Sequence, residues 1–131
     1  MHVKISANRV YLMNGKKRVY TMYCTAGRYQ EKNGKKVSMT PTGTFHLQPQ
    51  HGRTFYNASA KSGGNYYRSY DGNGQYLFHT VPIDQNGNYI PKEAKLLGKS
   101  TGSHGCVRLS IPDAKWVYHN VPVGTKVVIN N

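Results

Sequence analysis

The chain has 131 residues, the size of a single domain with one core, and the whole of it, residues 1–131, is predicted to fold as one unit. Its 18 Lys and Arg outnumber its 5 Asp and Glu, and the resulting formal charge of +13 favours anionic partners such as nucleic acid, an acidic membrane surface or an anionic polymer. It contains no apolar run of membrane-spanning length and no signal-peptide pattern, and its two cysteines are too few for a disulfide framework.

Short β-type segments rich in Tyr, Val and Thr recur along the chain, with turn sequences between them. Asn14-Gly15 separates residues 9–13 from residues 18–24 and predicts a hairpin, because Asn-Gly readily adopts the positive φ angles of a two-residue turn. Similar turn pairs are Asn33-Gly34, Asp71-Gly72, Asn73-Gly74 and Asn86-Gly87, and further candidate strands are residues 43–47, 75–81, 105–109 and 125–129. The sequence predicts a mainly β fold, a β-sandwich or a partly closed barrel.

Helix is indicated at two places only. Ser110 is a candidate N-cap, followed by Pro112 in the first turn and Asp113 three residues after the cap, so a helix is expected directly after strand 105–109. A shorter helical turn is predicted over residues 92–97, ended by Gly98.

The segment richest in candidate catalytic side chains is Ser-His-Gly-Cys-Val-Arg-Leu, residues 103–109. If it is a strand, His104, Cys106 and Arg108 point to one face and the apolar residues to the other. A cysteine nucleophile needs a base, because a free thiol with a pKa of about 8.5 is mostly protonated at neutral pH. His104 and His79 are both candidates, and His79 is the better placed if it approaches from an adjacent strand. Cys24 is interpreted as a packing residue.

Four segments, taken together, resemble the L,D-transpeptidase catalytic domains of the YkuD type. They are the segment 103–109, the element Thr-Pro-Thr-Gly-Thr-Phe at residues 40–45, Phe-His-Thr at residues 78–80, and Gly-Thr-Lys-Val with Val-Ile at residues 124–129. They occur in the family's order and span nearly the whole chain.

The resemblance implies a cysteine acyltransferase that acts on the stem peptides of peptidoglycan. Cys106 would be the nucleophile, His79 the proton donor and acceptor, and the Thr80 carbonyl the group that orients His79. The backbone amides of Gly105 and Cys106 are candidate oxyanion donors. On the substrate side the candidates are Arg108, which is able to hold a carboxylate in a bidentate pair, with His104, Ser103 and Tyr76.

In the reaction that the resemblance implies, Cys106 attacks the bond between the third stem residue and the terminal D-Ala. The acyl group then passes to an amine on the third residue of another stem, which gives a 3→3 cross-link. Water as the acceptor would make the domain an L,D-carboxypeptidase. The resemblance further implies action outside the cytoplasmic membrane, acylation by carbapenem β-lactams, and no metal or organic cofactor, while the positive charge suits anionic wall polymers.

The chain departs from the family in the connection from His79 to Ser103, which is longer than usual. The additional residues include Asp-Gln-Asn-Gly-Asn at positions 84–88. This turn-forming sequence predicts a protruding loop or hairpin that is able to roof the cleft.

Three other readings stay open at the level of sequence. A nucleic-acid binder would use basic residues interleaved with aromatics, although no binding motif is present and no nucleic acid is expected. A non-catalytic module that binds the wall would use the same fold and charge. A zinc peptidase built from His79, Asp84 and His104 lacks a recognised ligand spacing.

Overall fold

The structure is a computed structural model that describes all 131 residues. It contains eleven strands: β1 (His2–Lys4), β2 (Arg9–Asn14), β3 (Lys17–Thr25), β4 (Tyr29–Lys32), β5 (Lys35–Ser38), β6 (Gly43–His46), β7 (His51–Asn57), β8 (Ser62–Asp71), β9 (Tyr76–Thr80), β10 (Val107–Leu109) and β11 (Lys126–Asn130). The helices are α1 (Pro91–Ala94), α2 (Ile111–Asn120) and a 3₁₀ turn at Ile5–Ala7. None of the helices is long and apolar enough to cross a membrane.

Nine strands form one mixed sheet in the order β6-β11-β1-β2-β3-β10-β9-β8-β7, and β4 and β5 form a separate hairpin. The pairs β1–β11 and β9–β10 are parallel and the other pairs are antiparallel. The chain ends are neighbours in this sheet, since Val3 lies opposite Ile129 and the amide of Val128 donates to the Met1 carbonyl at 2.8 Å.

The sheet curls until its two edges approach one another. Phe45 of β6 packs edge-on against Tyr70 of β8, with ring centroids 5.6 Å apart, although these strands lie near opposite edges. The segment after β6 continues the contact, because the Gln48 amide donates to the Ser69 carbonyl and the Ser69 amide to the Gln50 carbonyl. The prediction of a mainly β, partly closed barrel is confirmed, and its form is that of a half-barrel.

The core lies between the curled sheet and α2. It joins strand residues such as Val3, Val10, Met22 and Ile129, each at most 1 % exposed, to the buried face of α2. Apolar burial of this kind is the main favourable term in folding.

The predicted helix after the cysteine segment is confirmed as α2. The Ser110 hydroxyl caps it by accepting a hydrogen bond from the Asp113 amide at 3.2 Å. At its other end, buried Arg68 of β8 donates to the carbonyls of Val117 and Val121 at 3.1 and 2.6 Å. The predicted helical turn at residues 92–97 is confirmed in part: α1 runs from Pro91 to Ala94, and residues 95–97 form a turn.

Two local predictions need correction. The first hairpin turn is Gly15-Lys16 rather than Asn14-Gly15, because Asn14 still pairs with Lys17 and only Gly15 has a positive φ of 62°. The strand predicted for residues 105–109 begins at Val107, because Gly105 has a φ of 140° and the residues before Val107 form a turn. His104 and Cys106 therefore do not share a strand face with Arg108.

Candidate active site

His79 lies on β9 with its ring buried, 5 % exposed. Its Nδ1 is 2.6 Å from the backbone oxygen of Thr80. A carbonyl oxygen only accepts hydrogen bonds, so Nδ1 carries the hydrogen and Nε2 keeps its lone pair. Thr80 thus orients the ring in the way that the resemblance implied.

The surroundings of His79 keep the imidazole neutral. Burial and the nearby Arg108 guanidinium lower its pKa from 6.5 to about 3, against a smaller opposite effect of the hydrogen bond to Thr80. Phe55 packs edge-on against the ring at 5.0 Å, and Gly64 lies so close that a Cβ there would be 2.3 Å from Nδ1. The ring is therefore clamped between β7, β8 and the strand that follows Cys106.

Cys106 lies in the turn immediately before β10. The Ser103 hydroxyl donates to the Cys106 carbonyl at 2.5 Å and accepts from the Gly105 amide at 3.1 Å. The amide of Cys106 makes no hydrogen bond within the protein, whereas that of Gly105 is engaged by Ser103. Of the two amides predicted as oxyanion donors, the Cys106 N–H is thus the one available in this structure.

The thiol of Cys106 is protonated in the resting site. Burial raises its pKa, and the Leu77 backbone and the Arg108 charge only partly offset that effect. Because the imidazole of His79 is also neutral, the cleft that both residues line holds an uncharged thiol and an uncharged imidazole at rest.

The Gly105 carbonyl is fixed from the buried side of the turn. It accepts hydrogen bonds from the Thr40 hydroxyl at 2.8 Å and from the Tyr70 hydroxyl at 3.1 Å. Thr40 Oγ1 in turn accepts from the Gly27 amide at 2.7 Å, and both donor side chains are 1 % exposed.

Arg108 lies on β10 directly opposite His79 in the parallel register of β9 and β10. Its Nη1 is 3.2 Å from Glu93 Oε2 of α1, and its side chain is 7 % exposed. Its Nε is also buried and has no hydrogen-bond partner. The guanidinium therefore has one anionic partner and at least one donor still to satisfy.

These residues meet in one cleft of about 150 Å³. All the side chains predicted for the site contribute to its lining, although His104 is exposed at its rim, the Ser103 hydroxyl is used within the turn, and Tyr76 packs on Gly105. The lining residues are Phe55, Asn57, Ala60, Ser62, Gln75, Tyr76, His79, Ser103, His104, Cys106 and Arg108.

Residues 84–88 do not roof this cleft, contrary to the prediction. Their loop is closed on itself, because Asp84 Oδ1 accepts from the amides of Asn86 and Asn88, and none of its residues lines the cleft. The wall is instead formed by the β7–β8 hairpin. The long connection reaches the site through α1, whose Glu93 pairs with Arg108.

Cys24 is confirmed as a packing residue: it is fully buried in the core, where burial raises its pKa to about 12. Both cysteines are free thiols. No group of three or more His, Cys, Asp or Glu side chains is arranged to hold a metal ion, so His79, Asp84 and His104 do not come together as ligands.

Sequence reasoning missed several residues of the site. Phe55, Gly64 and Glu93 reach it only through the tertiary fold, and no local pattern marks them. Thr40 had a signal, since it opens the Thr-Pro-Thr-Gly-Thr-Phe element, but its role depends on a contact with a turn 65 residues away.

A clamped neutral imidazole, a thiol and a free backbone N–H within one cleft are the parts that acyl transfer through a cysteine needs. Together with the half-barrel sheet, they place the molecule in the class of mainly β domains with a cysteine and histidine cleft.

The sequence narrows this class to one family. A family model described as the L,D-transpeptidase catalytic domain, YkuD, matches residues 1–129. The chain belongs to that family.

Relatives of known sequence or structure agree with this assignment. Over 128 residues the chain is 41% identical to the putative L,D-transpeptidase YciB of Bacillus subtilis (strain 168), covering 98% of this chain and 63% of that protein. It is also similar to an L,D-transpeptidase structure from Mycobacterium smegmatis, with a TM-score of 0.72 and 20% identity. The match covers 99% of this chain and 57% of that one.

A second similar structure is that of LdtMt1 in complex with imipenem, with a TM-score of 0.71 and 22% identity; the match covers 98% of this chain and 57% of that one. The chain thus spans less than two thirds of the length of each of these relatives.

Proposed function

We propose that the domain is a peptidoglycan L,D-transpeptidase that forms 3→3 cross-links through an acyl-enzyme on Cys106. The single observation that carries this proposal is the state of His79. The Thr80 carbonyl fixes its tautomer and burial keeps it neutral, so Nε2 is ready to accept a proton in the same cleft that holds the thiol.

In the first half-reaction, Nε2 of His79 takes the thiol proton as Sγ adds to the carbonyl carbon between the third stem residue and the terminal D-Ala. The electron pair of the carbonyl becomes an oxyanion that the Cys106 N–H stabilises. Collapse of this intermediate breaks the C–N bond, and the imidazolium returns its proton to the leaving amine of D-Ala. A thioester on Cys106 remains.

In the second half-reaction, the side-chain amine on the third residue of another stem adds to the thioester while His79 accepts its proton. Breakage of the C–S bond releases the cross-linked product, and Sγ regains the proton from the imidazolium. Water in place of the amine gives the carboxypeptidase reaction, so the acceptor that reaches the cleft decides between the two outcomes.

Arg108 supports recognition of an anionic peptide in the same cleft. Its buried Nε lacks a partner, and leaving a buried donor unsatisfied costs about 1–3 kcal/mol. A substrate carboxylate would supply the missing acceptor in a charge-assisted bond. We therefore assign Arg108 to the binding of a stem-peptide carboxylate, with Tyr76 and His104 at the edge of the subsite.

Incubation with a disaccharide-tetrapeptide, followed by mass spectrometry, tests the proposal. We expect a cross-linked dimer with loss of one D-Ala from the wild type and no product from Cys106→Ala. Cys24→Ala is the matched control and keeps the activity, because that thiol lies in the core. Tripeptide alone would identify a carboxypeptidase, and wall binding without loss of D-Ala would identify a binding module; either result would contradict cross-linking.

Carbapenems are proposed as covalent inhibitors, since a similar structure holds imipenem and the site contains a nucleophile with an oxyanion donor. Intact-mass analysis after incubation with imipenem is expected to show one adduct that is absent from Cys106→Ala. An adduct of equal size on Cys106→Ala would overturn the assignment of the nucleophile.

The basic surface is proposed to hold the domain against anionic wall polymers, outside the cytoplasmic membrane. Three lysines, Lys32, Lys35 and Lys36, lie on the β4–β5 hairpin. Two of the aromatic rings near basic residues already have partners within the protein, since Arg18 stacks on Tyr11 and Lys36 on Tyr29. A stacking platform for nucleic acid bases is therefore not favoured.

A further inference from the structure

We propose that Thr40 and Tyr70 are positioning residues for the oxyanion site: by fixing the Gly105 carbonyl, they aim the Cys106 N–H into the cleft. This inference rests on the proposed attack of Cys106 on a carbonyl carbon. It gives a function to the first residue of the Thr-Pro-Thr-Gly-Thr-Phe element, which the reaction itself does not use.

The geometry of the peptide bond carries the first step. In a trans peptide the carbonyl of one residue and the N–H of the next point in opposite directions, and rotation of one turns the other. The Gly105 carbonyl points to the buried side, where two hydroxyl donors hold it at 2.8 and 3.1 Å. The Cys106 N–H therefore points away from the interior, and it has no partner within the protein.

Glycine is needed for this arrangement. Gly105 has a φ of 140°, a conformation that residues with a Cβ rarely adopt, and a Cβ there would lie 2.7 Å from the Tyr76 ring. A backbone with this freedom needs external bonds to define the orientation of its peptide plane. Thr40 and Tyr70 supply those bonds.

The Thr40 hydroxyl is itself held in place, so it sets the direction of the Gly105 carbonyl and does not adjust to it. Its Oγ1 accepts from the Gly27 amide at 2.7 Å, which commits its hydrogen to the Gly105 carbonyl. Gly27 has to be glycine for this approach, since a Cβ would lie 2.6 Å from the Thr40 amide nitrogen. Tyr70 is held by packing, with its ring centroid 5.1 Å from that of Phe78.

Burial keeps Tyr70 a hydrogen-bond donor. Desolvation and the nearby Cys106 raise the pKa of its phenol well above the ordinary value of 10.0, so it retains its hydrogen at neutral pH. Preorganised donors of this kind need no rearrangement when charge develops on the substrate oxygen.

Two reagents separate an effect on the oxyanion from an effect on the thiol. p-Nitrophenyl acetate acylates Cys106 through a tetrahedral oxyanion, with release of p-nitrophenolate. Iodoacetamide alkylates the same sulfur by displacement of iodide, and no oxyanion forms. Substitution of a residue that only positions the oxyanion donor therefore changes the rate of acylation by p-nitrophenyl acetate and leaves the rate of alkylation by iodoacetamide unchanged.

We expect Thr40→Val and Tyr70→Phe each to lower the acylation rate about 10-fold or more, since loss of an oxyanion donor typically costs about 10²–10³-fold. The alkylation rate and its dependence on pH are expected to stay at the wild-type value. Thr40→Ser keeps the hydroxyl and is expected to restore acylation. Thr25→Val is the matched control, because Thr25 is buried and its hydroxyl has no partner.

Acylation at the wild-type rate in both variants would overturn the proposal, and so would an equal fall of both rates. If Thr40→Val does not fold, Tyr70→Phe alone decides between these outcomes. The reagent does not depend on a stem peptide, so failure of cross-linking leaves this test intact. A wild-type Cys106 that p-nitrophenyl acetate does not acylate would overturn both this inference and the proposed nucleophile.

Discussion

At the scale of single residues, the resting states of Cys106 and His79 set how the thiol reacts. The pKa of the thiol is raised and that of the imidazole is lowered, so the proton stays on sulfur at neutral pH. In the proposed reaction the thiolate therefore forms only with substrate in place, unlike in a site with a preformed ion pair.

We therefore expect alkylation of Cys106 by iodoacetamide to rise steadily with pH and to reach no plateau below pH 9, the ordinary thiol value. The rate, followed by mass spectrometry from pH 5 to pH 10, is the measurement. Cys24 is expected to remain unlabelled in the folded protein, since it is fully buried. A plateau near pH 6 would show that a thiolate–imidazolium pair exists at rest.

Gly64 gives a second prediction at this scale. A methyl group there would lie 2.3 Å from His79 Nδ1, so Gly64→Ala displaces the ring and its bond to Thr80. We expect acylation by p-nitrophenyl acetate to fall about 10²-fold, the scale of general-base catalysis, and the protein to lose about 1–3 kcal/mol of stability. Stopped-flow kinetics and urea unfolding measure the two effects. Wild-type values in both would show that the ring tolerates the methyl group.

The chemistry of the site was predictable at this scale where it depends on residue type and motif. Cys106, His79 and Thr80 could be proposed for the site because their own segments carry the motif. Gly64 could not, since a glycine without turn chemistry carries no local sign of what it contacts.

At the scale of elements, α1 is placed by its ion pair with β10. Arg108 is almost fully buried and Glu93 is its carboxylate partner, with a side chain 35% exposed. Removal of one partner leaves a buried charge unpaired, which costs about 3–5 kcal/mol for a fully buried pair and less here because Glu93 is partly solvated.

We expect Glu93→Gln to lower the free energy of unfolding by about 1–2 kcal/mol, which is less than the loss for a fully buried ion pair because Glu93 is partly solvated. Urea unfolding provides the measurement. Glu31→Gln on the exposed β4–β5 hairpin is the control and is expected to change stability by less than about 0.5 kcal/mol. Equal effects of the two substitutions would mean that the ion pair does not hold α1.

Elements were predictable where a local rule dominates. The cap at Ser110 and the Asn33-Gly34 turn, with both φ values positive at 52° and 74°, follow from local backbone chemistry. The cysteine segment was mistaken for a strand from residue 105 because its alternating pattern suits a strand. Hydrogen bonds to Ser103, Thr40 and Tyr70 hold it as a turn instead.

At the scale of the whole molecule, titration of buried groups bounds the pH range of stability. The pKa of His79 is about 3 in the folded protein and 6.5 ordinarily, so between these values the unfolded chain binds the extra proton. The free energy of unfolding therefore falls as the pH is lowered through this range. The pKa of Cys24 is about 12 when folded and 9.0 ordinarily, so above pH 9 stability falls as the pH rises.

Maximal stability is thus expected between about pH 6.5 and pH 9, bounded by the ordinary values of the two groups. Urea unfolding at pH 4, 7.5 and 10 measures it. His79→Gln is expected to reduce the loss of stability between pH 7.5 and pH 4. Cys24→Ala is expected to reduce the loss of stability between pH 7.5 and pH 10. Unchanged slopes in these two variants would assign the pH dependence to other groups.

The neighbouring positions of the chain ends bear on how the domain is made. β11 lies between β6 and β1, so the sheet is interrupted at that place until residues 126–130 have left the ribosome. Before then, β1 and β6 each expose an unpaired edge, the feature on which chains aggregate. Contacts this distant in sequence also slow folding. Insertion of β11 therefore pairs both of these exposed edges in one step.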